Sequence, residues 1–324
     1  MGVAAWPLHA HAGGFEIPDR GARALGRGGA TVASVDDPTA LHYNPGALAR
    51  LRGTRLLYNH SLIAHDTRFD RAPLSSAWGP DAGTRFDTAR NGAKLFGLGP
   101  FAAVSTDFGL DDWTFAAGVY GPHGVGTHRY PAYGPQSFML TDMRVLMAYY
   151  SLSAAWKFRD VFGVGITAQY VDVIQLEYSL VIDSTFVPQL DPVPDDGSTQ
   201  LTATMKLRDR AGGSAIVGLW GRPHPRIELG LASRVVPVFI DARGTMEVDE
   251  PTLVTDDIRV SFPFSLPATL RGGIRYLHEP GPRRWFDLEL AAQWENWSSL
   301  DAYDIEVEGR ISGQEVEDLH LAKQ

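Results

Sequence analysis

Several groupings of residues in this chain have the makings of chemistry. Gly26-Arg27-Gly28-Gly29 has the glycine density of a dinucleotide-binding turn. No strand pattern leads into it, and no helical pattern with a later acidic residue follows. The run from Gly121 to Thr127 has the spacing of a phosphate loop but lacks the Lys that such a loop uses. Asp36-Asp37 and Asp195-Asp196 read as solvated loop carboxylates rather than calcium ligands, and His9 with His11 has no third ligand nearby. No G-x-S-x-G elbow is present. These groupings give no catalytic constellation, so the expectation is a protein that is not an enzyme and carries no cofactor or metal. What remains is charge along one side of alternating segments: Arg144, Lys157, Glu228, Arg271, Arg275, Asp287, Glu289 and Glu295. Such groups are either solvated and paired with each other, or aimed at an anionic partner. Arg271 and Arg275 are the candidates for the second role, because a guanidinium fork fits a carboxylate through two parallel hydrogen bonds.

The segments that carry these charges read as strands. Leu146, Ala148, Tyr150, Leu152, Ala154, Trp156 and Phe158 alternate with Met147, Tyr149, Ser151, Ser153, Ala155 and Lys157. Val164, Ile166, Ala168 and Tyr170 alternate with Gly163, Gly165, Thr167 and Gln169, and the runs around residues 227–232, 265–276 and 287–295 behave alike. Period two is the signature of a strand with two unlike faces. Soluble sandwich strands run to about 5–6 residues. The runs here approach the length of about 9–11 that crosses a bilayer on a tilt. Tyr150, Trp156, Phe158, Tyr170, Tyr276 and Trp294 stand where interfacial aromatic girdles would. Short turns after Phe158 and at residues 221–225 alternate with long loops at residues 70–92, 121–136 and 183–210.

Bulk properties bound the answer. The 324 residues suffice for one barrel, and none of their apolar runs nears the roughly 18 needed for a membrane helix. Barrel strands average out in hydropathy, so that leaves a β-type membrane protein open. A net charge of −9 argues against a nucleic-acid partner. The count of 0 Cys removes disulfide and thiolate chemistry. Residues 1–12 end in Ala10-His11-Ala12, the A-x-A pattern of a signal cleavage site, and read as the remnant of a signal peptide.

Residues 13–51 differ from everything after them. They hold four glycines between Gly21 and Gly29, few large apolar side chains, and an Asn44-Pro45-Gly46 turn. Such a segment cannot bury enough apolar surface to fold alone. It is expected to be a plug whose walls the later strands supply. The division is then 1–12 signal remnant, 13–52 N-terminal hatch, and 53–324 barrel.

Gly14-Phe15, Ala24-Leu25-Gly26-Arg27, Gly28-Gly29-Ala30 and Tyr43-Asn44-Pro45-Gly46 resemble the hatch of the FadL family of long-chain fatty acid outer-membrane transporters, which includes aromatic-hydrocarbon transporters. The family usually has Ala after Asn-Pro, so Gly46 departs from it. The resemblance continues through the runs starting at Ser233, Ser261 and Gln293. It implies an all-β fold, a transmembrane antiparallel β-barrel with an N-terminal hatch, in the outer membrane of a Gram-negative cell. It implies passive transport of hydrophobic molecules such as fatty acids or alkylbenzenes, in contact with outer-membrane lipid, by a monomer. Gly26, Arg27, Asn44, Pro45 and Gly46 would belong to the hatch. Gly118, Gly121 and Pro122 would form a kink that opens the wall sideways, or simply end a strand. Arg271 and Arg275 would meet a fatty-acid carboxylate. Phe138, Met139, Leu140, Phe186 and Leu190 would form an outer groove. Nine strands are legible in the pattern, against roughly fourteen in such a closed barrel, so the sequence reads as truncated. The other readings are a structural or adhesion barrel without transport, and a general porin, which a plug would block.

Overall fold

A computed structural model describes residues 21–61, 66–76, 82–92, 99–121, 128–131, 134–135, 140–183, 200–249, 257–278, 286–300, 302–311, 314–316 and 318–322. Residues 1–12, Gly14-Phe15, Pro122, Phe138, Met139, Phe186, Leu190 and Asp195-Asp196 lie outside these.

The chain opens with helices α1 (Ala22–Gly26) and α2 (Ala40–Tyr43) and a 3-10 turn, Pro45–Arg50. Most of the described residues after it are strand. β1 (Arg55–Asn59), β2 (Arg68–Phe69), β3 (Ala89–Arg90), β4 (Phe101–Thr106), β5 (Trp113–Tyr120) and β6 (His128–Arg129) are short. β7 (Leu140–Phe158), β8 (Phe162–Asp183) and β9 (Gln200–His224) are long. β10 (Ile227–Val236), β11 (Val238–Val248), β12 (Ile258–Leu266), β13 (Thr269–His278), β14 (Phe286–Glu295) and β15 (Ala302–Glu308) follow, then β16 (Arg310–Ile311), β17 (Gln314–Glu315) and β18 (Leu319–Ala322).

All pairings are antiparallel, and the main sheet runs β1-β4-β5-β7-β8-β9 before it divides. The second half of β9 pairs with β10 and its first half with β11. Beyond these, β10 pairs with β13 and then β14, while β11 pairs with β12, β15 and β18. The division arises at Pro237 and at Pro267, which separate β10 from β11 and β12 from β13. Proline has no N–H to give a ladder, so each arm breaks and bends there. Among the described residues β1 and β18 do not pair with each other, and the sheet has an open seam. It nevertheless wraps around the first 30 described residues: Leu41 lies against Gly118 of β5 while Val32 lies against Gly273 of β13.

The outer face carries an apolar band. Leu56, Tyr58, Leu152, Ile166, Leu231, Ile274, Leu288 and Leu290 are all exposed on it. One rim of the band is marked by Trp113, directly opposite Trp156, and the other by Tyr150, directly opposite Tyr170. This is the girdled surface of a transmembrane β-barrel. The first rim, with the turns at residues 107–112 and 159–161, is called lower here.

Above the tyrosines the polarity reverses. Ala203, Met205 and Leu207 of β9, Ile240 of β11, Val260, Phe262 and Phe264 of β12 and Ile305 of β15 are buried in one interior cluster. Lys206, Arg208, Arg243 and Arg259 stand on the outside. This corrects the loop expected over residues 183–210, because Gln200 to Arg210 is strand. Its alternation was present in the sequence with the apolar face turned inward. Arg144 is also corrected: it stands outside, ion-paired to Asp142 and Glu177.

Candidate functional site

The hatch lies on a floor of glycines. Gly165 of β8 faces Gly218 of β9 across the ladder, and Gly230 of β10 faces Gly273 of β13. A Cβ on Gly218 would meet the Gly46 nitrogen at 2.8 Å, and one on Gly163 would meet the Gly46 carbonyl at 2.5 Å. Cβ atoms on Gly165 and Gly230 would overlap the backbone of Pro45 and Val32. The wall is therefore stripped of side chains where the hatch backbone touches it, which is the close approach only glycine permits. Gly46 reciprocates, since a Cβ there would stand 2.6 Å from the Gly218 carbonyl oxygen. That explains the departure from Ala at this position.

Asn44 fastens the turn. Its side-chain amide donates to the carbonyls of Val32 and Leu219, both at 2.9 Å, while its Oδ1 accepts from the Gly46 N–H at 3.1 Å. Pro45 opens the 3-10 turn, where its missing N–H costs nothing. Gly26 ends α1 in open space, and the backbone demand falls on Gly28 and Gly29, at φ 60° and 81°.

Charge then clasps the hatch to the wall. Arg27 donates to Asp287 at 2.6 Å and reaches Glu289 at 3.4 Å, and the Ala33 N–H donates to Glu289 at 2.8 Å. Arg50 pairs with Glu228 at 3.2 Å and lies 4.7 Å over the Trp220 ring. Arg222 bonds the same Glu228 oxygen. Arg275 bridges the groups, donating to Glu228 at 2.8 Å and Asp287 at 2.7 Å. Both Arg275 and Glu228 are buried, at 1% and 0% exposed. Removing one member of such a set would strand an opposite charge away from water.

Of the two predicted carboxylate contacts, Arg275 has its fork engaged in this clasp. Arg271 donates to the His42 carbonyl at 3.1 Å and to Gln293 at 2.9 Å. His42 in turn bonds the Tyr120 hydroxyl at 3.2 Å. Both arginines thus hold hatch or wall. Of the predicted kink, Gly118 sits in unbroken pairing, opposite Ala103 on one side and Ser151 on the other. The described pairing of β5 with β7 runs to Tyr120 opposite Tyr149, and β6 pairs with β7 at His128 and Arg129; Pro122 lies outside the described residues. Glu228, Asp287 and Glu289 were visible as inward charges. Their joining with Arg27 and Arg50 of the hatch was not.

The match to known proteins follows from this geometry. Residues 3–318 match the family described as outer membrane protein transport protein (OMPP1/FadL/TodX). The chain belongs to that family. FadL/TodX proteins are outer-membrane transporters of hydrophobic compounds. The fold is similar to a Pseudomonas aeruginosa FadL homologue, with a TM-score of 0.67 and 15% identity over 95% of this chain and 74% of that one. It is similar to the Ralstonia pickettii toluene transporter TbuX, at 0.67 and 17% over 94% and 78%. The Pseudomonas putida toluene transporter TodX gives 0.68 and 15% over 94% and 76%. No curated protein matches at the sequence level.

Proposed function

We propose that this FadL/TodX-family chain carries neutral apolar molecules, aromatic hydrocarbons foremost, passively across the outer membrane. In this reading residues 13–52 are a movable hatch, residues 53–324 its wall, and residues 1–12 the remnant of an export signal. The observation that supports it is the change of lining inside the cylinder. The upper interior is apolar, with Tyr178, Phe262, Phe264 and Tyr303 in edge or tilted ring contact. The lower interior is filled by the hatch, whose Leu41, Leu48 and Leu51 pack with Phe101 and Trp220 while Glu228, Arg271 and Arg275 line the wall beside them. An apolar solute entering from above gains about 25 cal/mol per Å² of surface removed from water. It has no reason to go further until the hatch yields.

Release then requires the clasp at Arg27 and Arg50 to loosen, or a sideways exit near Gly121. A structural barrel would have no use for either. A disulfide between Val32→Cys and Gly273→Cys tests this: the wall Cβ would stand 3.2 Å from that of Val32, a few tenths of an ångström inside the usual span of about 3.5–4.5 Å, so the hatch backbone must shift slightly to accept it. In cells expressing the chain, toluene uptake should fall to background when the pair is oxidised and recover on reduction. Unchanged uptake in the oxidised form would favour the structural reading.

A fatty-acid cargo is the second reading. It is favoured by Arg271, a buried guanidinium beside His42 at the top of the hatch. Arg271→Gln should lower oleate uptake and leave toluene uptake intact. Equal loss of both would remove Arg271 as a carboxylate contact.

A further inference from the structure

The outer wall just above the tyrosine rim carries a cationic site several of whose neighbouring acids are already engaged. Arg208 of β9 and Arg243 of β11 are directly opposite each other on the exposed face. Like charges in that position repel unless an anion lies between them. Arg243 is held by Asp241 at 2.5 Å, which also accepts from Ser261 at 3.1 Å. The Asp209 carboxylate is taken up by backbone, accepting the N–H groups of Asp241 at 2.8 Å and Ala211 at 2.9 Å. Lys206 is paired with Glu247 at 2.5 Å. The side chains of Arg208 and Arg210 are exposed and have no partner among the described residues.

To one side, over β1, β4, β5 and β7, an apolar groove of about 910 Å³ runs along the wall, lined by Leu56, Tyr58, Val104, Val119 and Leu152 and edged by Tyr170 of β8. The Tyr170 hydroxyl at the groove's edge donates to the Arg210 carbonyl at 2.5 Å, which brings that edge next to the strand carrying Arg208 and Arg210. An acyl-chain slot whose edge adjoins two unpaired guanidinium groups is the chemistry of a phosphorylated lipid.

We infer that Arg208 and Arg210, with Arg243 behind them, hold the phosphate of an outer-leaflet lipid whose chain lies in this groove. Guanidinium suits phosphate because its planar fork donates two bonds at once. The site is on the outside of the wall and does not depend on which cargo passes within.

Native mass spectrometry of the full chain in a zwitterionic detergent tests it. The probes are bis-phosphorylated lipid A, the same lipid dephosphorylated, and inorganic phosphate. The intact chain should retain the phosphorylated lipid. Arg208→Gln/Arg210→Gln should weaken that retention about tenfold or more, since a hydrogen bond to a charged group contributes roughly 1.5–3 kcal/mol. Leu152→Trp, filling the groove, should weaken it with both arginines intact. Arg226→Ala, at the lower turn, should change nothing. Equal retention by the double variant overturns the site, as does equal retention of the dephosphorylated lipid. Inorganic phosphate held as tightly as the lipid would mean a plain anion site, and a dimer mass in place of bound lipid would mean the groove takes a second copy.

Discussion

Below the Tyr150–Tyr170 level the wall is greasy outside and charged inside. Above it the same strands are charged outside and greasy inside. In β8 the change is built by register shifts between Val171 and Leu176, which exchange the faces: Val164 and Ile166 point out below, whereas Glu177 and Ser179 do so above. In β11 no shift is needed, because the outward side chain changes from Phe239 to Asp241 and Arg243 within one arm. Each half solves a different solvation problem with one ladder. The lower half must satisfy lipid outside and hold, inside, a plug that packs through Leu41, Leu48 and Leu51 and is clasped by charge at Arg27 and Arg50. The upper half must satisfy water outside and give an apolar solute somewhere to go.

The comparison can be broken from its strongest contrast downward. Glu228→Ala removes the one carboxylate that Arg50, Arg222 and Arg275 share, leaving buried Arg275 with Asp287 alone, and should cost about 3–5 kcal/mol, read as a shift of urea unfolding in detergent. Ile240→Ala, in the upper interior, should cost about 2–5 kcal/mol through a cavity instead. A small effect there would mean that the upper interior is not packed. Gly165→Val sets side-chain atoms into the Pro45 backbone and should cost about 1–3 kcal/mol. Its distinguishing mark is faster proteolysis of the hatch with the barrel intact. Lys206→Ala removes an exposed pair of the same chemistry as the clasp, yet should fall within about 0–1 kcal/mol. The smallest effect concerns Asp107, which accepts N–H bonds from Gly109 and Gly53 that hold its carboxyl below its ordinary 3.8. A depressed carboxyl stabilises above its unfolded value and loses that stabilisation as pH falls through the folded one. Asp107→Asn should therefore lower stability slightly at neutral pH and flatten its loss below about pH 3.8.

How much of this the sequence carried differs between the same two halves. The lower band was legible because Val164 to Tyr170 and Leu270 to Tyr276 alternate without interruption, as a pleat demands. The first turns of β9 were not, because Thr202, Thr204, Lys206 and Arg208 sit outside where lipid-facing residues were expected. The hatch was legible through what it lacks, namely bulk. Gly163 and Gly165 were visible on the inward face, but that they matched Gly218, Gly230 and Gly273 into one floor depends on cross-strand register. The clasp likewise draws Glu228, Arg275 and Asp287 from three strands and Arg27 and Arg50 from the hatch, a meeting no spacing along the chain encodes.

Solvent access on the two outer surfaces tests the inversion most directly. The chain has 0 Cys, so a nitroxide can be placed singly at Leu290 or Ile274 in the band, or at Thr245 or Glu247 above it, after reconstitution into bilayers. The account predicts that oxygen relaxes the first two more than an aqueous nickel complex does, and that the order reverses at the second two. The same order at all four sites would contradict it.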